Sequence, residues 1–101
     1  RFHKRVYTSQ EIAYCESKHK GMYQSYAGIY AAKEAFLKAL GTGLRYGSWQ
    51  DIEVGHTDLG APELYITGPF KEILDSQGLS EVIISISHCK EYAMSTVILK
   101  G

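Results

Sequence analysis

Between positions 26 and 43 the chain reads Y-A-G-I-Y-A-A-K-E-A-F-L-K-A-L-G-T-G, apolar or small at almost every step. Ala, Leu, Lys, Glu and Phe dominate the stretch and no proline interrupts it, which favours a helix. Ile29, Phe36, Leu37 and Leu40 recur at helical spacing and predict one broad buried face. Gly41 and Gly43 supply the open or left-handed backbone that ends a helix. The remaining segments read as elements arranged around this one. Upstream, Phe2 and Val6 stand four apart and predict a helical turn. Thr8-Ser9-Gln10-Glu11 then predicts a helix start, with Thr8 as N-cap and Glu11 as its reciprocal partner. That helix runs over about 9–17, turns Ile12, Ala13 and Cys15 toward the core, and ends at Lys18-His19-Lys20-Gly21, where cations suit the dipole.

Downstream the period changes. Residues 48–54 (S-W-Q-D-I-E-V) alternate with one imperfect step and predict a strand. Gly60 and Pro62 punctuate a turn over 56–62, and 63–67 is the returning strand of an antiparallel hairpin. Gly68-Pro69 opens a short helix with Phe70, Ile73 and Leu74 as its apolar stripe, and Gly78 stops it. Residues 81–87 (E-V-I-I-S-I-S) are apolar without alternation, which predicts a strand covered on both faces. A turn at 88–91 returns the chain as a last antiparallel strand over 92–99. The fold class expected is α+β, an antiparallel sheet packed against a long central helix.

Composition narrows the function classes. The 101 residues suit one domain with a modest core, for which oligomerisation is a common supplement. Eleven basic and eleven acidic residues cancel, so no basic field points to nucleic acid. No apolar run approaches the ~20 residues a membrane-spanning helix needs, and no signal peptide is visible, although the chain starts at Arg1 without a methionine. Cys15 and Cys89 lie far apart and outside any C-x-x-C motif; two reduced thiols are expected. His3, His19, His56 and His88 show no zinc-ligand spacing.

The candidate chemistry lies on the long helix. Glu34 and Lys38 are four apart and share a face with Tyr30. One reading is a solvated stripe with an i,i+4 ion pair, worth ~0.2–0.5 kcal/mol. The other is a metal–phosphate site, in which a carboxylate, the ammonium groups of Lys33 and Lys38, and the anion-friendly N–H groups of Gly41-Thr42-Gly43 act together.

The order A-A-K-E-A-F-x-K-A-L-G-T-G, then S-W-Q-D-I-E-V, then S-I-S-H resembles the holo-acyl-carrier-protein synthases, the small trimeric class of 4'-phosphopantetheinyl transferases. The resemblance covers most of the chain. It implies the 4'-phosphopantetheinyl transferase fold, a cytoplasmic enzyme of fatty acid biosynthesis, and a homotrimer with active sites at subunit interfaces. The implied reaction moves the 4'-phosphopantetheine arm of coenzyme A, with Mg2+, to a serine of apo acyl carrier protein and releases 3',5'-ADP. Glu34 would be the metal ligand, and Glu34, Lys38 and His88 the catalytic groups. Lys33, Lys38, Gly41, Thr42, Gly43, Gly60, Pro62, Ser87 and His88 would bind the cofactor. Arg1 and Arg5 would dock the acidic carrier protein.

The family's second metal ligand is an Asp on an N-terminal first strand, and the 101 residues start after that motif. Three departures touch phosphate contacts: Ile29 stands where the family often has Arg, Ala61 where it usually has Lys, and Cys89 where it has Thr or Ser. The rival from another class is a non-catalytic trimeric module that holds coenzyme A or a carrier protein.

Overall fold

The computed structural model describes residues 2–89 and 92–101. Four helices and four strands follow one another: α1 (Phe2–Val6), α2 (Ser9–Glu16), α3 (Met22–Leu40), β1 (Ile52–His56), β2 (Pro62–Ile66), α4 (Gly68–Ser76), β3 (Glu81–His88) and β4 (Ala93–Lys100). Short 3-10 turns at His19–Gly21 and Trp49–Asp51 lead into α3 and β1. The α+β class stands.

α2 starts as its sequence dictates. The Glu11 N–H donates to Thr8 Oγ1 at 3.2 Å, and the Thr8 N–H donates back to Glu11 Oε1 at 2.8 Å. Both orphan donors of the first turn are thereby satisfied. Cys15 is buried as expected, whereas Ala13 is exposed and Glu11 takes the buried place. α3 starts at Met22, one turn before the apolar run, and ends at Gly41 with φ 84°, whose N–H donates to the Leu37 carbonyl. A left-handed residue is cheap there only for glycine.

β1 and β2 pair antiparallel from Ile52↔Ile66 to His56↔Pro62, and β3 and β4 from Glu81↔Lys100 to His88↔Ala93. The expected strand start at 48 is corrected. Asp51 accepts the Ser48 N–H at 3.0 Å and caps a 3-10 turn, so pairing begins at Ile52. β3 is corrected too: its exposure alternates, with Val82, Ile84 and Ile86 inward and Ile83 outward. The covered-on-both-faces reading therefore does not hold within one chain.

Two apolar clusters fill the space between helices and strands. Val6, Tyr7, Cys15, Ile29, Ala32 and Val54 form one beneath the first half of α3. Phe36, Leu37, Ile52, Phe70 and Leu74 form the other beneath its second half, where the Phe36 and Phe70 rings meet edge to face at 6.2 Å. α3 crosses both clusters, so it fixes where every side chain along it emerges. Cys15 and Cys89 are free thiols, the first buried and the second exposed; burial pushes the Cys15 thiol up to about 12. Among the described residues no helix is long and apolar enough to cross a membrane.

Candidate functional site

Successive residues of α3 diverge by about 100° around its axis, so Lys33 and Glu34 meet different surroundings. Lys33 turns inward and is completely buried. Its Nζ lies 2.8 Å from Glu11 Oε1 and donates to the carbonyls of Val6 and Trp49. Burial lowers the lysine below its usual value, and the Glu11 carboxylate works against that shift. Glu11 Oε2 also accepts the Val54 N–H at 2.7 Å. One ion pair thus ties α1, α2, α3 and β1 together. This corrects the expectation for Lys33 as a cofactor ligand, because its three ammonium donors are spent inside the fold.

Glu34 and Lys38 face outward and are exposed. They form no ion pair; Lys33–Glu11 and Lys71–Asp75 are the ion pairs among the described residues. The solvated-pair reading of this stripe therefore lacks its contact. Glu34 instead meets Tyr30, one turn earlier. The phenol is raised by partial burial first and then by the adjacent carboxylate, to which it hydrogen-bonds. Beyond Lys38 the backbone turns at Gly41 and Gly43, both at positive φ, with Thr42 Oγ1 donating to the Gly43 carbonyl at 2.8 Å.

A second group of residues gathers on the other half of the molecule. Gly60, Pro62 and His88, which stand far apart in sequence, line one cavity of about 230 Å³ with Tyr14, Ser25, Gly28, Ile29, His56 and Ile86. The His88 ring lies over α3 at Gly28, where a Cβ would come within 2.8 Å of His88 Cε1 and 3.1 Å of Ile86 Cγ2. Absence of a side chain at position 28 is what lets the imidazole settle on the helix. Ser87 is exposed on β3, pointing away from that face, and is not among the cavity residues.

Sequence reasoning missed Ser25, Gly28 and Ile86 of this cavity, along with its aromatic members Tyr14 and His56. Their rings stack with centroids 3.8 Å apart and planes 9° from parallel. Their separation of 42 positions gives no local signal; the available hint was His56 standing four residues before the Gly60-Ala61-Pro62 turn. Burial first, and then Lys18, holds the His56 imidazole below its usual value.

The fold does not bring all expected site residues together within one chain. Gly28 and Gly41 are thirteen residues apart on one helix, so the His88 contact and the Gly41–Gly43 turn are separated by about 20 Å. Glu34 and Lys38 lie between them. Arg5 is exposed on α1. Arg1 lies outside the described residues. No group of three or more His, Cys, Asp or Glu able to hold a metal occurs among the described residues. Glu34 is one accessible carboxylate, a donor set that fits magnesium only when phosphate oxygens and water, or a further carboxylate, complete the shell.

Comparison with known proteins accords with this geometry. Residues 1–97 match the 4'-phosphopantetheinyl transferase superfamily. The holo-[acyl-carrier-protein] synthase of Ruminiclostridium cellulolyticum is 42% identical over 98% of this chain and 75% of its own length. That of Geobacter sp. (strain M21) is 47% identical over 95% of this chain and 77% of its own. Among solved structures, the Neisseria meningitidis synthase superposes with a TM-score of 0.87 at 34% identity, covering 99% of this chain and 80% of that one. The Helicobacter pylori synthase, solved in complex with coenzyme A, gives 0.83 at 31% identity over 98% and 81%. Motif order, the α+β fold built on α3 and these likenesses converge: the chain belongs to the holo-[acyl-carrier-protein] synthases of the 4'-phosphopantetheinyl transferase superfamily.

Proposed function

We propose that this transferase moves the 4'-phosphopantetheine arm of coenzyme A to a serine of apo acyl carrier protein, in the cytoplasm, with magnesium. The serine Oγ gives up its proton to Glu34 or to water and forms a new bond to the β-phosphorus, the bond to the bridging oxygen breaks, and 3',5'-ADP leaves. The cavity that gathers Gly60, Pro62 and His88 carries this reading: residues far apart in sequence converge on one pocket with the imidazoles of His56 and His88 at its wall. In the Helicobacter pylori relative the bound ligand is coenzyme A.

Glu34, exposed and hydrogen-bonded by Tyr30, would hold the metal, with phosphate oxygens and water completing the shell. Magnesium there would offset negative charge on the transferring phosphoryl group. Lys38, one turn on, presents its ammonium to the same phosphates, and the Gly41–Gly43 turn offers backbone N–H groups. Arg5, together with Arg1, docks the acidic carrier.

The separation of about 20 Å along α3 supports assembly of several copies, and the family resemblance makes that assembly a homotrimer. An active site then takes the Glu34–Gly43 half from one copy and the His88 half from the next. The outward face of β3–β4, which carries Ile83, Met94 and Ile98, is an apolar surface suited to such contact.

The deciding experiment is the intact mass of an apo acyl carrier protein after incubation with this protein, coenzyme A and magnesium. The expected result is a gain of one phosphopantetheine arm that disappears when magnesium is chelated. No gain would overturn the reading.

A further inference from the structure

Among the described residues, the lining of the cavity at Gly60, Pro62 and His88 holds no lysine or arginine. At position 61, where the resemblance leads one to expect a lysine, the residue is Ala. Two imidazoles remain as the lining groups able to carry positive charge, His88 from β3 and His56 from β1. His56 is held in place. Its ring lies flat on Tyr14 at 3.8 Å, and its backbone pairs with Pro62 across the hairpin. A ring stacked on Tyr14 and carried by a paired strand keeps its nitrogens at the cavity wall at a reduced entropic cost on binding.

We propose that His56, clamped against Tyr14, is a phosphate-binding residue of the nucleotide end of this cavity, and that it engages a phosphorylated nucleoside as the imidazolium, taking up a proton as the ligand binds. The inference rests on the transferase reading above and adds a residue to it. Its consequence is a coenzyme affinity that titrates, where a lysine would give one that does not.

The groups around His56 fix the direction. From α2, Tyr14 stacks on the ring. Lys18, after α2, stands with its ammonium 4.8 Å from the centre of the Tyr14 ring and disfavours a second positive charge. From β3, His88 shares the cavity, and from α3, Ser25 is neutral. The β1–β2 turn brings Gly60 and Pro62, also neutral. In the free protein the imidazole is therefore neutral around pH 7, and a phosphate dianion reverses the balance by Coulomb attraction.

The test is calorimetry of coenzyme A binding to the intact protein, run at several pH values and in buffers of different ionisation enthalpy. Wild type should show net proton uptake, with affinity falling by up to about tenfold per pH unit above neutrality, the limit for one coupled proton. Dephospho-coenzyme A, which lacks the 3'-phosphate, should bind with less uptake. His56→Gln should weaken coenzyme A and reduce the uptake. His56→Lys should keep the affinity and flatten its pH dependence, which separates loss of charge from loss of fold. Equal affinity and equal uptake in wild type and His56→Gln would overturn the inference while leaving coenzyme binding intact. Absence of coenzyme A binding in wild type would instead overturn the transferase reading, and this inference with it.

Discussion

A single carboxylate, Glu11, closes the capping box of α2, neutralises Lys33 and accepts the Val54 N–H. Its capping role was legible from T-x-x-E, because capping is local. Its role as counterion was not, because Lys33 lies 22 positions away and nothing in either neighbourhood announces the pairing. Lys33→Met should cost about 3–5 kcal/mol in urea unfolding, the penalty for leaving a buried charge without its partner. Adding Glu11→Gln should recover part of that loss, since the pair is then replaced by neutral groups. Gly28 tests the site instead of the core. Gly28→Ala gains up to about 1 kcal/mol of helix propensity, yet its Cβ would displace His88. Unchanged or raised thermal stability is expected, with a higher Michaelis constant for coenzyme A. His56 links both concerns. The folded chain binds its proton less tightly than the unfolded chain does, so stability falls as pH drops through the ordinary imidazole value of 6.5. Denaturant titration at pH 5 and pH 8 should show a smaller difference for His56→Gln than for wild type.

At the scale of elements, α3 carries structure on one face and chemistry on another. Its apolar residues Ile29, Phe36 and Leu37 are buried, as their spacing predicts, with Leu40 only half-buried and Ala32 buried besides, while Glu34 and Lys38 emerge. Periodicity misled only where a charged residue sits among the buried positions. Lys33 was expected to bind phosphate because burial of a lysine needs a partner that only the tertiary fold supplies. The turn at Trp49–Asp51 was missed for a different reason. Its apolar alternation resembles a strand, yet S-x-x-D is itself a capping pattern and was the stronger local signal. Glu34→Gln separates the two faces experimentally. An exposed amide leaves helix packing alone but is a poor magnesium ligand. Thermal unfolding should be unchanged within about 0.5 kcal/mol, the usual range for a surface substitution. Arm transfer should fall by orders of magnitude, and full activity would remove Glu34 from the mechanism.

For the molecule as a whole, β3 and β4 pose the question of what lies outside the chain. The run E-V-I-I-S-I-S lacks alternation, which is the pattern of a strand covered on two sides. In one chain only the inward face is covered; Ile83, Met94 and Ile98 stay 39%, 57% and 50% exposed. The sequence pattern and the single-chain burial disagree, and the homotrimer proposed above would reconcile them by placing a neighbouring copy over the outward face. The same copy would bring its own α3 toward His88 and close the gap that one chain leaves in the site. Ile83 and Ile98 are direct cross-strand partners, so a charge at each would place two like charges side by side on that face. Ile83→Glu with Ile98→Glu should therefore convert a trimer to monomer in sedimentation velocity and abolish arm transfer, while far-ultraviolet circular dichroism stays that of the folded chain. Activity that survives in a proven monomer would mean that one chain completes the site alone, and the division of the site along α3 would then need a bend or shift that brings Gly41 and His88 together.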